Sequence, residues 1–458
     1  MTELMEPATA VETTAKRSTT LAVTSAATLL VLMNYVAPLA TMPAIAAGVD
    51  AGVLGRTWIL NGIAFGLSAL LLVTGNLADA YGRRRMFVIG AVVLAFSSVV
   101  SAVANDPGTF VLGRILQGVA SAAVLTASLG LIGVAYPSGP ARVRATGMWG
   151  AMIGAGIALG PWVGGLFAEW GSWRGAYWFF AAGSALVVFA GALVLSESRA
   201  AVRPRFDVRG TVVFALGVGA LLFAVTEGRL GWTRPTVLAG LLAAAVLLGT
   251  FVLVERRALH PLLDLRLFRR PLFLAATLGA LTTGLAIIGV MSYVPTVMQL
   301  ALGQTPMITA AVVLIWSGAS FLTSFFAHRL PLGGRHQLAV GLLFAAVGNL
   351  ILLGFVERWS WLHATAGFVV AGIGSGLVNA ALARLAIESV PPERAGTGSG
   401  INQTARYVGS SLGVAAVVAL VAAVAGPSND LSAGVNAALV AGAGVALLGG
   451  VGALLLRR

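Results

Sequence analysis

Residues 57–105 read TWILNGIAFGLSALLLVTGNLADAYGRRRMFVIGAVVLAFSSVVSAVAN. Two apolar runs, 57–77 and 86–105, flank a short stretch with one acid, Asp79, and three arginines, Arg83, Arg84 and Arg85. A helix needs about 20 apolar residues to cross a bilayer, and each run has that length. Neither run alternates polar with apolar residues, which a membrane barrel strand requires. The stretch therefore predicts a helical hairpin that crosses a membrane twice, with its charged turn on one side.

The same pattern extends in both directions. Apolar segments fall at 21–46, 57–77, 86–105, 109–135, 145–168, 175–196, 210–226, 236–254, 272–297, 307–327, 337–355, 361–387, 398–424 and 433–456, predicting fourteen spanning helices. Of the 458 residues, 58% are hydrophobic and 10% are charged. A soluble domain is nearer roughly 25% charged, and this composition leaves too little polar surface to cover a globule in water. The 58 glycines fit close helix packing in lipid. The acids Glu3, Glu6 and Glu12 stand where a signal peptide has its basic region, so residues 1–20 read as a short disordered tail.

Charge placement gives orientation. With the N-terminus inside, 22 of the 29 Lys and Arg residues lie in inner loops, tails or, for Arg384, the inner end of a segment. Five, Arg56, Arg174, Arg229, Arg234 and Arg358, lie outside, while Arg114 and Arg406 fall within helices. Such an imbalance puts both termini in the cytoplasm. It does not test the seventh and eighth helices as a pair, which rest on hydropathy alone. The longest inner loop, 255–271, is the natural seam between two halves. Gly82-Arg83 after the second helix and Gly334-Arg335 after the tenth make the halves look repeated.

Three motifs carry the functional reading. Gly75, Leu77, Asp79, Gly82, Arg83 and Arg84 frame the turn after the second helix. Gly75 permits close packing and Gly82 a tight turn. Asp79 can pair with Arg83 or cap a helix N-terminus, either of which can latch two halves together. Arg114, Gln117 and Gly118 lie on helix 4, where an arginine needs a partner or must snorkel to the surface. On helix 5 stand Gly147, Gly156, Gly160, Pro161, Gly164 and Gly165. Spacings of four put small residues on one face, which predicts a smooth surface on which helix 5 slides against the opposite half, with a kink at Pro161.

These motifs resemble the loop motif, the helix 4 motif and the antiporter motif of the major facilitator superfamily. Further stretches are similar to its fourteen-helix drug/proton antiporter branch. They are Ser172-Trp173-Arg174, Phe206-Asp207, Val254-Glu255-Arg256-Arg257, His260-Pro261, Val390-Pro391-Pro392 and Thr404-Ala405-Arg406 with Gly409. The resemblance covers nearly the whole chain. It implies two six-helix bundles at 21–206 and 272–458, two inserted helices at 207–256 and a cytoplasmic loop at 257–271. It also implies alternating-access export of small amphipathic molecules from a bacterial inner membrane, driven by protons. One position departs: the branch usually has an Asp in helix 1, and Asn34 stands there, followed by Tyr35.

Candidate cavity residues are Asn34, Tyr35, Asn61, Trp149, Tyr293, Gln299, Trp316, Asn379, Asn402 and Arg406. With no acid placed mid-membrane, the cavity reads as neutral to positive, favouring neutral, zwitterionic or anionic substrates. Coupling would use a carboxylate near a helix end, with Asp79, Glu169 and Glu227 as candidates. The expected partners are the lipid bilayer, protons and a small-molecule substrate, acting on a monomer.

Other classes are set aside. The basic charges punctuate apolar runs and form no patch for nucleic acid. Lys16 is the sole lysine and follows no glycine loop, so no P-loop nucleotide site exists. Gly372, Gly374 and Gly376 lie inside an apolar helix with no strand before them, against a nucleotide loop. The four histidines have no metal-ligand spacing, no cysteine is present, and no catalytic cluster or cofactor site is seen. The competing readings are an uncoupled facilitator or lipid translocase on the same fold, and a membrane-embedded enzyme.

Overall fold

The computed structural model describes residues 14–199, 207–228, 231–258, 261–425 and 431–456; Glu3, Glu6, Glu12, Phe206, Arg229 and His260 lie outside them. All regular structure among the described residues is helical. The first span is two pieces, α1 (Thr14–Val36) and α2 (Pro38–Gly48). Then follow α3 (Val53–Tyr81), α4 (Arg83–Val103), α5 (Pro107–Ala135), α6 (Gly139–Glu169) and α7 (Arg174–Val194). The inserted pair is α8 (Val208–Gly228) and α9 (Pro235–Arg257). The second bundle holds α10 (Pro271–Thr283), α11 (Gly289–Leu300), α12 (Pro306–Phe326), α13 (Gly334–Ile351), α14 (Trp361–Glu388), α15 (Ala395–Ala425) and α16 (Leu431–Leu455). Counting α1/α2 and α10/α11 as one span each gives fourteen. Thirteen spans are long and apolar enough to cross a membrane, and α13 is the fourteenth, made more polar by Arg335 and His336 at its start.

Three boundaries differ from the sequence reading. The first helix begins at Thr14, not 21. Its polar start is accommodated because Thr19 and Thr20 donate to carbonyls one turn back, at Ala15 and Lys16. The first span breaks at Ala37, because Pro38 has no N–H to continue the ladder. The ninth span contains a π-helical turn at Gly284–Ile288. There it crosses α15 so closely that a Cβ on Gly284 would lie 2.1 Å from the Arg406 carbonyl.

Helix starts use local polar groups where the sequence offers them. Asp106 caps α5, accepting from the Thr109 N–H at 2.9 Å and its hydroxyl at 2.6 Å. The Thr109 hydroxyl and N–H together hold this carboxyl below its ordinary value of 3.8.

The two bundles are built alike. In each, the second helix packs on the fourth, the third on the sixth and the first on the fifth. Each also closes on itself in the same way. Arg84, at the start of the third helix α4, donates to the Ala192 carbonyl near the end of α7. Arg335, at the start of α13, donates to the Leu456 carbonyl just past α16. A cation at a helix C-terminus is favoured by the helix dipole. The inserted hairpin stands outside this repeat and packs through α8 on α3 and α15.

The loop joining the halves is pinned from two sides. Glu255 accepts from the backbone N–H groups of Leu262 and Leu263, at 3.1 and 3.4 Å. Asn76 donates to the Leu262 carbonyl at 3.2 Å. Leu262, Leu263 and Leu267 are buried in a cluster that Leu77 also joins.

Candidate functional site: an inner gate, a buried arginine cluster and a cavity between the bundles

The face assigned by charge to the cytoplasm is called the inner face below. It is closed by the first motif. The Asp79 carboxylate, 2% exposed, pairs with Arg83 at 2.8 Å. It also accepts from the N–H groups of Gly396 at 3.0 Å and Thr397 at 2.7 Å, and from the Thr397 hydroxyl at 2.9 Å. Asp79 thus plays both roles the sequence allows: it pairs with arginine and caps the N-terminus of a helix, here α15 of the opposite bundle. An anion at that position is favoured by the exposed N–H groups and the dipole. Arg83 reaches across as well, donating to the carbonyls of Pro392 and Glu393. Gly75 makes the approach possible, because a Cβ there would lie 2.3 Å from the Gly396 carbonyl.

Gly82 has φ +123°, a conformation glycine tolerates. A Cβ there would also strike the Glu197 carboxylate at 2.5 Å. Glu197, which the sequence reading missed, accepts from the N–H groups of Arg84 and Arg85 and caps α4. Its cue is an acid just past the last helix of the bundle, while α4 begins without a capping side chain of its own.

The second motif lies inside the first bundle. Arg114 is fully buried and does not snorkel. Its Nη1 donates to the Asn34 carbonyl, Asn34 Oδ1 and Gln117 Oε1, at 2.9, 3.0 and 2.9 Å. Its Nη2 donates to the Tyr35 carbonyl at 2.9 Å, and its Nε to the Ile59 carbonyl at 3.3 Å. The break before Pro38 frees the Asn34 and Tyr35 carbonyls from their helix, so the arginine completes what the proline interrupts. Gly118 brings α5 onto α3: a Cβ there would lie 2.2 Å from the Ile63 carbonyl.

The third motif is divided between two neighbours, which corrects the expectation of one sliding face. Cβ atoms on Gly156, Gly160 and Gly164 would meet Leu32, Val36 and the Ala37 carbonyl, all in the same bundle. Gly165 faces open space. Only Gly147 meets the opposite bundle, at the Ser324 carbonyl, together with Gly150 and Gly154, which face Ser324 and Phe321. The α6 helix is long enough to use one face near each end. It runs unbroken through Pro161.

A cavity of about 330 Å³ lies between the bundles, on the outer side of these closures. Tyr35, Asn61 and Tyr293, three of the candidate residues, line it. Ser410 and Ser411 of α15 and Thr226 of α8 also line it and were not anticipated. Their cue is small polar residues in apolar helices. Asn34, Trp149, Trp316, Asn379, Asn402 and Arg406 are buried but line no part of this cavity. Asn402 and Asn379 are occupied in packing, donating to the Ala276 carbonyl and the Ser320 hydroxyl. Gln299 is exposed, because it stands at the outer end of α11 and points away from the bundle.

The three candidate coupling carboxylates separate clearly. Glu169 is exposed at the end of α6. Asp79 is occupied in the gate. Glu227 is 8% exposed, accepts from the Trp58 indole N–H at 3.2 Å and lies 3.9 Å from Arg234. It follows Thr226 of the cavity wall. The run Gly372–Gly376 is packing: Gly372 and Gly376 face α12, and Gly374 faces α13. Among the described residues no group of His, Asp or Glu could hold a metal.

Two pseudo-symmetric helical bundles with a gate on one face and a cavity on the other define a membrane transporter. The sequence profile of the Major Facilitator Superfamily matches residues 24–414, and the chain belongs to that family. It is 32% identical over 372 residues to the multidrug resistance protein Stp of Mycobacterium tuberculosis, covering 81% of this chain and 69% of that one. It is 30% identical to the puromycin resistance protein of Streptomyces alboniger, over 86% of this chain and 80% of that one. The solved proton:xylose symporter XylE has the same fold, with a TM-score of 0.70, 15% identity and 95% of each chain covered.

Proposed function

We propose that this protein is a secondary active exporter of small amphipathic molecules, drugs or antibiotics among them, in a bacterial inner membrane. Both termini are cytoplasmic, it works as a monomer, and it exchanges substrate for protons by alternating access. The observation that carries this reading is the Asp79 latch, which ties α3 to α15 on the inner face while the cavity lies on the outer side. That arrangement is an outward-facing state. Breaking the latch and closing the outer side would give the inward-facing one. The relatives named for multidrug and puromycin resistance support export as the direction.

Glu227 is the proton carrier in this reading. It is the one candidate that is both buried and next to the cavity wall. The Trp58 N–H and the Arg234 guanidinium face its two carboxylate oxygens.

An uncoupled facilitator is the second reading, and one observation favours it. Arg114 is satisfied by neutral acceptors, so no carboxylate stands at the centre of the first bundle. Proteoliposomes separate the two. Antiport requires substrate accumulation driven by a pH gradient, and Glu227→Gln should abolish that accumulation while sparing counterflow. Counterflow with no accumulation under a pH gradient would establish the facilitator instead.

A further inference from the structure

Of the three buried arginines, Arg83 is paired in the gate, while Arg114 and Arg406 lie in helix interiors and differ in one respect. Arg114 is surrounded by acceptors. Arg406, in α15, is 6% exposed, and its Nε is buried with no hydrogen-bond partner. Among the described residues no carboxylate forms an ion pair with it. A guanidinium stays charged at any physiological pH. Burying it without a compensating anion is costly, and a bound anion would offset that cost.

Its position says what. Ser410 follows Arg406 by one helical turn and lies on the same face of α15, and Ser410 lines the cavity. Tyr407 is the neighbour of Arg406 along α15, and its ring faces that of Tyr35. These two rings come from opposite bundles and meet edge to face, with centroids 6.0 Å apart. Tyr35 lines the cavity too. Arg406 therefore lies one turn inward of a cavity-lining serine, next in sequence to a residue whose ring joins the halves. The cavity walls above it include Phe65, Leu222 and Val414. Its volume of about 330 Å³ is at the lower end for a drug-sized ligand.

We propose that Arg406 anchors the carboxylate of an otherwise apolar, aromatic organic anion, whose rings occupy the cavity against those walls. This rests on the exporter reading and adds the substrate's chemical class. The planar fork of arginine suits a carboxylate. Separation of Tyr35 from Tyr407 would open the path from the cavity to the guanidinium.

The test is direct binding to the purified full-length protein, with dansylglycine and its methyl ester as a matched charged and neutral pair. Wild type should bind the acid more tightly than the ester. Arg406→Gln should weaken the acid roughly 10- to 100-fold, the size of one charge-assisted hydrogen bond, and leave the ester unchanged. Arg406→Lys, which keeps the charge, should retain part of the preference. Equal affinity of acid and ester for wild type would overturn the proposal. So would loss of both probes in a monodisperse Arg406→Gln variant. If that variant does not fold, the wild-type comparison and Arg406→Lys still decide. Export is measured separately in cells: acid preference without efflux of either probe refutes the exporter reading and leaves the anchor standing.

Discussion

Arg114 donates from one nitrogen to both oxygens of Asn34, the backbone carbonyl at 2.9 Å and the side-chain amide at 3.0 Å. The Asn34 amide nitrogen, in contrast, is buried without a partner. Replacing that nitrogen by oxygen should therefore be favourable. Asn34→Asp is expected to raise the thermal unfolding temperature of the detergent-solubilised protein. Asn34→Ala, which removes an acceptor from a buried cation, should lower stability by about 1–3 kcal/mol. A fall with Asn34→Asp would mean that the neutral amide is itself required. The new carboxylate should also make transport more sensitive to pH.

The gate makes a prediction about function without folding. Asp79→Ala removes the ion pair with Arg83 and the cap on α15. Insertion and expression should be normal, because the latch joins two bundles that each pack on their own. Transport should fall by about 5- to 150-fold, as expected when a coupling of about 1–3 kcal/mol between states is removed. Parental transport rates in this variant would take the latch out of the cycle.

Helix α6 offers two substitutions of the same kind with different consequences. A leucine at Gly160 would drive into Met33 and Val36 of its own bundle. Gly160→Leu should therefore cost stability, about 1–3 kcal/mol or more from overpacking. A leucine at Gly154 would press on Ser317 and Phe321 of the opposite bundle. Gly154→Leu should leave the unfolding temperature near that of the parent and stop transport by holding the inner face apart. Unfolding curves and efflux rates on both variants check the distinction. Identical behaviour would deny that α6 has two separate faces.

Much of this was legible in the sequence, for an identifiable reason. Hydropathy shows helices, and a gate made of Gly75, Asp79 and Gly82 shows in its spacing because each residue type answers a local need. The partners of Asp79 in the opposite bundle could not be read, since Gly396 and Thr397 lie more than 300 positions away and use backbone N–H groups that any residue has. The same limit explains the error on α6. Spacing by four groups Gly156, Gly160 and Gly164 correctly on a face, but it does not say which helix that face meets.

Topology can be checked with reporters. Fusions after Arg85, Arg199 and Arg270 should report the cytoplasm, and fusions in the α8–α9 turn near Trp232 should report the outside. A cytoplasmic signal at Trp232 would show that the inserted pair does not cross, despite its length.

The clasps from Arg84 to the end of α7 and from Arg335 to the end of α16 have a mechanical meaning. Each one joins the third helix of a bundle to its sixth and turns six rods into a braced ring. A braced ring resists shear, so strain applied at the cavity passes to the boundary between the rings. That boundary is where the glycine crossings at Gly75, Gly150 and Gly154 lie. Cutting one clasp, as in Arg335→Ala, should soften that ring alone. Amide exchange should then rise in α13 and α16 while α4 and α7 stay protected.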